Sequence, residues 1–251
     1  MAPGLKLLPK HIRADAYGLH QVMCSLDDLV DENRPAAPER IDAVERWAQG
    51  EQADTPETRI LTELARSYPR FPHAVLEGCK ALRHDMAGAV IDTEFDLERY
   101  CEHAGGSILT MLAQMLGTSS DGEAKMATLG RAMQRTNILR DIDEDHAHGR
   151  LYIARTTIER FGPPLPGARE ELLRDQIARA DALYEEGISS IPLLSQGRRA
   201  IALCADLYRE ILRQIERDGY GRTPGQATVP RWRVRLLIAK HRVPFPRTTA
   251  R

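Results

Sequence analysis

Long apolar runs are missing from this 251-residue sequence, and so is any large excess of charge. No stretch approaches the ~20 consecutive apolar residues that a membrane-spanning helix needs. Residues 1–9 contain no extended apolar run of the kind found in a secretory signal. The net charge is −1, which provides no broad basic surface for nucleic acid or for an anionic membrane. We therefore expect a cytoplasmic protein with no transmembrane anchor, no signal peptide and no nucleic-acid partner.

Closely spaced cysteines and strand patterns are missing as well. The four cysteines, Cys24, Cys79, Cys101 and Cys204, are scattered without CxxC spacing, so we interpret them as reduced thiols rather than zinc ligands. No segment of useful length alternates between polar and apolar residues, and no internal repeat is present. The chain is long enough to bury a sizeable core, and that core must be built without a sheet.

Hydrophobic periodicity predicts helices along almost the whole chain. Pro56 is placed where helices commonly begin, with Thr55 as a candidate N-cap. Gly105 and Gly106 interrupt an amphipathic stretch and indicate a close approach of another backbone. The predicted helices cover residues 10–33, 57–67, 71–88, 94–116, 123–147, 168–190, 197–218 and 231–240. This pattern predicts an all-α single domain over residues 1–251, with a disordered tail from about residue 242.

The most informative stretch is QRTNILRDIDEDHAHGRLY, residues 134–152. On a helix, Gln134, Asn137, Asp141 and Asp145 lie on one face, because they follow the i, i+3, i+7 and i+11 spacing. The residues upstream are mostly apolar or small, so the acids begin where the helix is expected to be buried. Buried carboxylates need partners, and a hard cation such as Mg²⁺ is the usual one. The alternative is a solvated acidic end of a core helix.

A second acidic patch lies on the first long helix, in SLDDLVDEN. Asp27 and Asp31 are i, i+4 neighbours, and the same face carries Cys24 and His20. Two helices that each offer a DxxxD on an inner face can hold several Mg²⁺ ions around a diphosphate, since each ion takes one or two carboxylates and phosphate oxygens complete its shell. Such ions stabilise a leaving pyrophosphate while an allylic carbocation forms in an apolar pocket.

At this point the sequence resembles the squalene/phytoene synthase family. Residues 134–152 resemble the family motif QLTNILRDVxEDxxRGRxYLP, and HQVMCSLDDLVDE resembles YAFCRxxDDxxDE. YCEHAGGS resembles a third family helix, YCxxVAGxVG, and LYREILRQIERDGY resembles a late helix with a pocket tyrosine. The resemblance spans about residue 5 to about residue 240 and implies an isoprenoid-synthase helical bundle with a central pocket.

The resemblance also implies roles for individual residues. Two or three Mg²⁺ ions would be held by Asp27, Asp31, Asp141 and Asp145, with Asn137 as a further ligand and Gln134 in the same polar cluster. Arg150 and Tyr152 would approach an isoprenyl diphosphate donor. Tyr100 and Tyr208 would line the pocket.

Three departures from the family pattern shaped the functional hypothesis. Cys24 replaces the arginine before the first aspartate motif, His20 replaces a tyrosine one turn earlier, and Arg135 replaces the leucine after Gln134. The chain also starts near the LLP that follows the family's serine-bearing first helix, so we expect most of that helix to be absent. Losing an arginine removes a charge-assisted phosphate contact that cysteine does not replace, which suggests that one of two diphosphate sites has been lost.

The leading hypothesis is therefore a prenyltransferase of secondary metabolism that ionises one allylic diphosphate and transfers the prenyl group to a small aromatic acceptor, such as a carbazole. His20 would then be a candidate base for the ring proton, and Cys24 would make room for the acceptor.

Three alternatives stay open. The first is head-to-head condensation of two prenyl diphosphates to phytoene, squalene or presqualene diphosphate, with Arg135 or another basic residue compensating for the lost arginine. The second is a terpene cyclase, which the low aromatic content of 5% disfavours. The third is an inactive partner subunit. The sequence leaves open the donor chain length, the acceptor, the native start and whether the protein is a monomer or a homodimer.

Overall fold

The computed structural model describes residues 2–242, and it describes side-chain surroundings for residues 4–241. Every regular element within residues 2–242 is helical, so the all-α prediction is confirmed. No helix among these residues is long and apolar enough to cross a membrane. The tail predicted to be disordered lies outside the described residues, apart from Arg242 at the end of the last helix. The single-domain boundary stays a prediction.

Twelve α-helices follow one another along residues 2–242. They are α1 (Ala2–Leu5), α2 (Lys10–Asp31), α3 (Ala37–Ala48), α4 (Pro56–Ser67), α5 (Phe71–Met86), α6 (Glu94–Cys101), α7 (Ser107–Leu116), α8 (Ser120–Ala147), α9 (Arg155–Phe161), α10 (Glu170–Ile188), α11 (Arg198–Arg217) and α12 (Arg231–Arg242). A π-helical turn, Glu102–Gly106, joins α6 to α7, and a 3-10 turn, Ile191–Leu193, precedes α11.

Local sequence signals explain several helix starts. Thr55 caps α4 as predicted, because its hydroxyl accepts a hydrogen bond from the Thr58 amide and the Thr58 side chain accepts one in return. Ser119 caps α8 in the same way by accepting from the Gly122 amide. This cap starts α8 at Ser120, three residues before the predicted start at residue 123. Caps of this kind satisfy amide groups that have no partner inside the helix.

Helix α8 is the centre of the fold. It packs against α7, α10, α11 and the π-helical turn, and its buried residues lie on all sides of the helix. The sequence therefore shows little amphipathic pattern over α8, since a helix surrounded by others buries more than one face. The C-terminal end of α8 leaves the core, and four acidic residues, Asp141, Asp143, Glu144 and Asp145, lie there.

Two glycines bring α8 close to the neighbouring chain segment. A Cβ atom on Gly130 would lie 2.3 Å from the Gly105 carbonyl oxygen, and one on Gly105 would lie 2.3 Å from the Gly130 carbonyl oxygen. The close backbone approach predicted at Gly105 is therefore confirmed. The predicted helical stretch 94–116 is present from Glu94 to Leu116, but at this crossing the π-helical turn Glu102–Gly106 divides it into α6 and α7.

We expect Gly130→Ala to destabilise the protein by about 2–4 kcal/mol, because a methyl group cannot fit between two backbones. Gly18→Ala is the control: Gly18 also lies inside a helix, but a Cβ there would lie 3.3 Å from the end of the Ile60 side chain. Alanine is a better helix former than glycine by roughly 1 kcal/mol, so we expect the control to be neutral or stabilising. Urea denaturation would measure both, and equal effects would contradict this interpretation.

Candidate active site

A cavity of about 400 Å³ opens between α2, α5, α7 and α8. All twelve predicted site residues line it: His20, Cys24, Asp27, Asp31, Tyr100, Gln134, Asn137, Asp141, Asp145, Arg150, Tyr152 and Tyr208. Their convergence is an observation, and their chemical roles stay predictions. The rest of the wall is largely apolar and includes Met23, Leu26, Val75, Leu82, Ile108 and Ile138. The cavity thus joins a polar, acidic part to a wall suited to hydrocarbon.

The acidic part is formed by the ends of two helices. Asp27 and Asp31 lie in the last turns of α2, and Asp141 and Asp145 lie in the last turns of α8. Negative charge is unfavourable at these positions because helix C-termini carry a partial negative charge. Arg150 connects the two helix ends. Its backbone amide donates to the Asp145 carbonyl oxygen of α8 at 2.8 Å. Its guanidinium donates to Asp31 Oδ1 and contacts the Val30 carbonyl oxygen of α2 at 3.4 Å.

Two of these carboxyl groups are poorly stabilised as anions. Desolvation, followed by repulsion from Asp141, raises the pKa of Asp145 to about 7, although Arg150 opposes the shift. Desolvation and the charges of Asp31 and Asp85 raise the pKa of Asp27 to about 6. Asp27 is open to the cavity, but the protein around it excludes much of the bulk solvent. Neither carboxylate has a hydrogen-bond partner among the described residues.

The donor groups fit hard cations. The Asn137 Oδ1 atom is buried and has no hydrogen-bond partner among the described residues. A buried amide oxygen without a partner, in the same cavity as two carboxyl groups with raised pKa values, provides oxygen ligands of the kind that Mg²⁺ takes. Within the described part of the chain, no three His, Cys, Asp or Glu side chains converge on one metal position. Each cation would therefore use one or two carboxylates and take its other oxygens from water or a bound phosphate.

A tyrosine pair and an acid form the wall beside Asp27. Tyr100 and Tyr152 stack with ring centroids 5.0 Å apart, and their hydroxyls donate to Asp85 at 3.0 and 2.9 Å. Desolvation raises the pKa of Asp85, and the two tyrosine hydrogen bonds oppose that shift. These contacts hold both rings in place at the cavity.

Asp85 was missed by the sequence analysis. Its one local signal is an acid in the last turn of α5, where the helix dipole disfavours negative charge. That signal is weak by itself, because the two tyrosines that bond the carboxylate lie on other parts of the chain.

Two arginines of α8 have positions that differ from the expectation that Arg135 compensates for the lost arginine. Arg140, which was not predicted, lines the cavity and donates to Asp141 at 2.7 and 2.5 Å. Arg135 points elsewhere: it is 1% exposed and donates to Glu94 at 3.0 Å and to Gln176 at 2.5 Å. Arg135 therefore belongs to a buried polar cluster and does not take the place of the lost arginine.

His20 and Cys24 face the cavity together. The Cys24 sulfur lies 3.5 Å from His20 Nδ1, and desolvation, followed by the charge of Asp27, raises the pKa of the thiol. The raised pKa keeps the thiol in its neutral form, and the prediction that Cys24 makes room in the cavity stays a prediction.

Sequence and fold are similar to those of known proteins. A model of the family described as "Squalene/phytoene synthase" matches residues 1–233. Over 250 residues the chain is 32% identical to the phytoene synthase of Thermus thermophilus, which covers 94% of this chain and 86% of that protein. Over 235 residues it is 28% identical to the presqualene diphosphate synthase of Zymomonas mobilis, covering 86% and 80% of the two chains. The crystal structure of a dehydrosqualene synthase in complex with ligand superposes with a TM-score of 0.85 at 26% identity, covering 95% of this chain and 89% of that one. The predicted isoprenoid-synthase bundle is thereby confirmed.

The prediction of an aromatic acceptor is wrong. The similar proteins are named phytoene, diapophytoene and presqualene diphosphate synthases, which condense prenyl diphosphates head to head. The physical reason is that basic residues reach the cavity from more than one helix. Cys24 removes an arginine from α2, but Arg140 and Arg150 line the same cavity from other elements. Without an aromatic acceptor there is no ring proton to remove, so the prediction that His20 is the base for that step no longer applies.

A pH-dependent stability test follows from Asp145. Its pKa is about 7 in the folded state and about 3.9 in an unfolded chain. Between these values the folded state binds the proton and the unfolded state does not, so the carboxyl group lowers the free energy of unfolding progressively as pH rises from about 4 to about 7.

We therefore expect Asp145→Asn to raise the melting temperature of the metal-free protein by roughly 2–6 °C at pH 8 and by much less at pH 4.5. Thermal melts in EDTA would measure the effect. Glu51→Gln, which removes an equal charge from an exposed site, is the control. A difference between Asp145→Asn and wild type that does not change with pH would contradict the raised pKa.

Proposed function

The chain belongs to the squalene/phytoene synthase family, and we propose from this that it joins two allylic isoprenyl diphosphates head to head, as a phytoene synthase. Members of this family are prenyltransferases. The observation that carries the proposal is the 32% identity to a phytoene synthase over 94% of the chain. The cavity supports the proposal, because its acidic part suits the diphosphate end of such substrates and its apolar wall suits the hydrocarbon end. We call the acidic part, formed by Asp27, Asp31, Asp141 and Asp145, the acidic rim.

In this proposal Mg²⁺ binds at the acidic rim. Asp27, Asp31, Asp141 and Asp145 would hold two or three ions, with Asn137 Oδ1 as a further ligand. Bound Mg²⁺ would supply charge neutralisation for the diphosphates and stabilise the leaving pyrophosphate. Mg²⁺ would then be the partner that Asp145 and Asp27 lack within the protein. A bound cation would favour the anionic form of each carboxyl group and would lower both pKa values.

Two guanidinium groups would bind the diphosphates from the protein side. Arg150 is 23% exposed and paired with Asp31, and Arg140 is 30% exposed and paired with Asp141. Each therefore has donors left over for phosphate oxygens. Arginines next to the acidic ligands place donors on the same phosphate groups that the cations neutralise. This arrangement gives the rim capacity for two diphosphates without the arginine that Cys24 replaces.

The apolar wall would control what happens after ionisation. An allylic cation is captured by the nearest nucleophile, so water must be kept away and the double bond of the second substrate must be placed beside the cation. Leu82, Val75 and Ile108 supply the apolar lining, and the Tyr100 and Tyr208 rings add faces that favour positive charge. With two substrates held in one cavity, capture by carbon is favoured over hydrolysis.

Location and assembly are also proposals. The four cysteines are free thiols in the structure, which suits the reducing cytoplasm. The expectation that the protein is a monomer or a homodimer stays a prediction.

A product assay tests the proposal directly. Purified protein with Mg²⁺ is supplied separately with farnesyl and geranylgeranyl diphosphates, and extracts are analysed by mass spectrometry. We expect a C40 hydrocarbon from geranylgeranyl diphosphate alone, with loss of about 100-fold or more in Asp27→Asn and Asp141→Asn, because each removes an anionic ligand. Asp28→Asn removes a neighbouring exposed carboxylate of α2 that does not line the cavity and should keep its activity. A product formed by cyclisation within a single diphosphate molecule, or no product with either diphosphate, would refute head-to-head synthesis.

A further inference from the structure

Residues 219–230 link α11 to α12 without regular helix and lie against the acidic end of α8. We call this segment the strap. It passes so close to Arg169 that a Cβ atom on Gly221 would lie 2.4 Å from Arg169 Nε, and Gly221 has a φ of +67°. Both conditions favour glycine. The strap is therefore built to approach this side chain closely, rather than being a loose connection between two helices.

A buried ion pair anchors the strap to α8. Arg169 is 1% exposed and donates to both oxygens of Asp143, at 2.5 and 2.7 Å. The Gly225 amide of the strap donates to the same carboxylate at 2.8 Å. These contacts lower the pKa of Asp143, the Arg169 hydrogen bond most of all. Asp143 is thus a shared acceptor that ties the strap backbone to a guanidinium fixed in the protein interior.

Gln226, the next residue of the strap, contacts two further acids of α8. Its Nε2 atom donates to Asp141 Oδ1 at 2.8 Å and to Glu144 Oε2 at 2.5 Å. An amide nitrogen has two hydrogens, so both are used on carboxylates. The contact with Asp141 matters most, since Asp141 lines the cavity and is a proposed metal ligand.

The hydrogen bonds of Asp141 leave one position open. Its Oδ1 accepts from Arg140 Nε and from Gln226, whereas the one donor to Oδ2 within residues 4–241 is Arg140 Nη2. A carboxylate oxygen has about two lone-pair positions, so Oδ1 is filled and Oδ2 keeps one. Hydrogen bonds of this kind orient a metal-binding carboxylate and select the oxygen that binds.

We propose that the strap is part of the diphosphate site and that Gln226 is a positioning residue, which holds Asp141 with Oδ1 occupied and Oδ2 presented to Mg²⁺. This inference rests on the proposed function, because it assumes that Asp141 binds the metal. It assigns a role to a part of the chain far from both aspartate motifs. It also accounts for the crowding on α8: Asp141, Asp143 and Glu144 each have a partner in the strap, whereas Asp145 has none among the described residues.

Two variants separate hydrogen-bond donation from shape. Gln226→Ala removes the side chain, and Gln226→Met keeps a side chain of similar length but has no donor hydrogens and no added charge. Calorimetry with Mg²⁺ and inorganic pyrophosphate would measure cation binding without turnover. We expect Mg²⁺ affinity to fall about 10-fold in both Gln226→Ala and Gln226→Met, because neither side chain donates to Asp141. The melting temperature of the metal-free Gln226→Ala protein should be unchanged, because Gln226 is exposed.

Thr228→Ala is the matched control. Thr228 is an exposed strap residue whose hydroxyl reaches only the Gln226 carbonyl oxygen, at 3.5 Å, so its removal should leave Mg²⁺ affinity within about twofold of wild type. Wild-type affinity in Gln226→Met would show that the donor hydrogens do not matter and would overturn the role of Gln226. If the wild-type protein makes head-to-head product but both Gln226 variants bind Mg²⁺ normally, the positioning role alone is wrong. If the wild-type protein neither binds Mg²⁺ with pyrophosphate nor turns over, the proposed function fails as well.

The anchoring of the strap can be checked in the unmodified protein. Hydrogen exchange resolved to single amides should show Gly225 protected at least about 10-fold relative to Thr223, after correction for intrinsic exchange rates. The Gly225 amide donates to Asp143, whereas the Thr223 amide has no acceptor among the described residues. Equal exchange at the two positions would overturn the anchored strap.

Discussion

Repulsion among carboxylates is the constraint around which this protein is organised. Asp27, Asp31, Asp85, Asp141 and Asp145 converge on one cavity, in a setting where removal of water strengthens their repulsion. Some of these charges are offset within the protein, by Arg140, by Arg150 and by the hydroxyls of the tyrosine pair. Desolvation, followed by the repulsion that remains, raises the pKa values of Asp27 and Asp145. Neither carboxylate has a hydrogen-bond partner among the described residues, so the fold itself must hold both groups in this unfavourable setting.

The rigid part of the fold makes this arrangement possible. Helix α8 is enclosed by other helices for most of its length, and the Gly105–Gly130 crossing brings two backbones into contact. A helix held in this way cannot turn to move its acids into solvent. The Asp143–Arg169 pair adds a second restraint at the acidic end. Packing energy from the core thus supports an electrostatically unfavourable site, as is common where stability is given up for function.

The lost arginine at position 24 shows the limit of arguments from one helix. A diphosphate is recognised by the total of cations and donors around it, and these arrive from several elements. Arg140 and Arg150 line the cavity, so a missing guanidinium on α2 does not by itself remove a binding site. Arg135, which looks equally basic in the sequence, is turned towards Glu94 and is unavailable. Only the packing of α8 distinguishes the two arginines.

The sequence by itself determined the all-α class, most of the helices and the residues that meet in the cavity. The helices depend on local periodicity and on caps such as Thr55, and the two acidic patches depend on spacing within single helices, which adjacent residues specify. Tyr100, Tyr152, Tyr208 and Arg150 were implied by the family resemblance and not by any local spacing. The tertiary structure decided the rest. Asp85 joins the site through tyrosines from other segments, the strap reaches Asp141 from a distant part of the chain, and the π-helical turn forms where two backbones cross. Contacts of this kind arise between residues far apart in the chain, so no local pattern in one sequence specifies them.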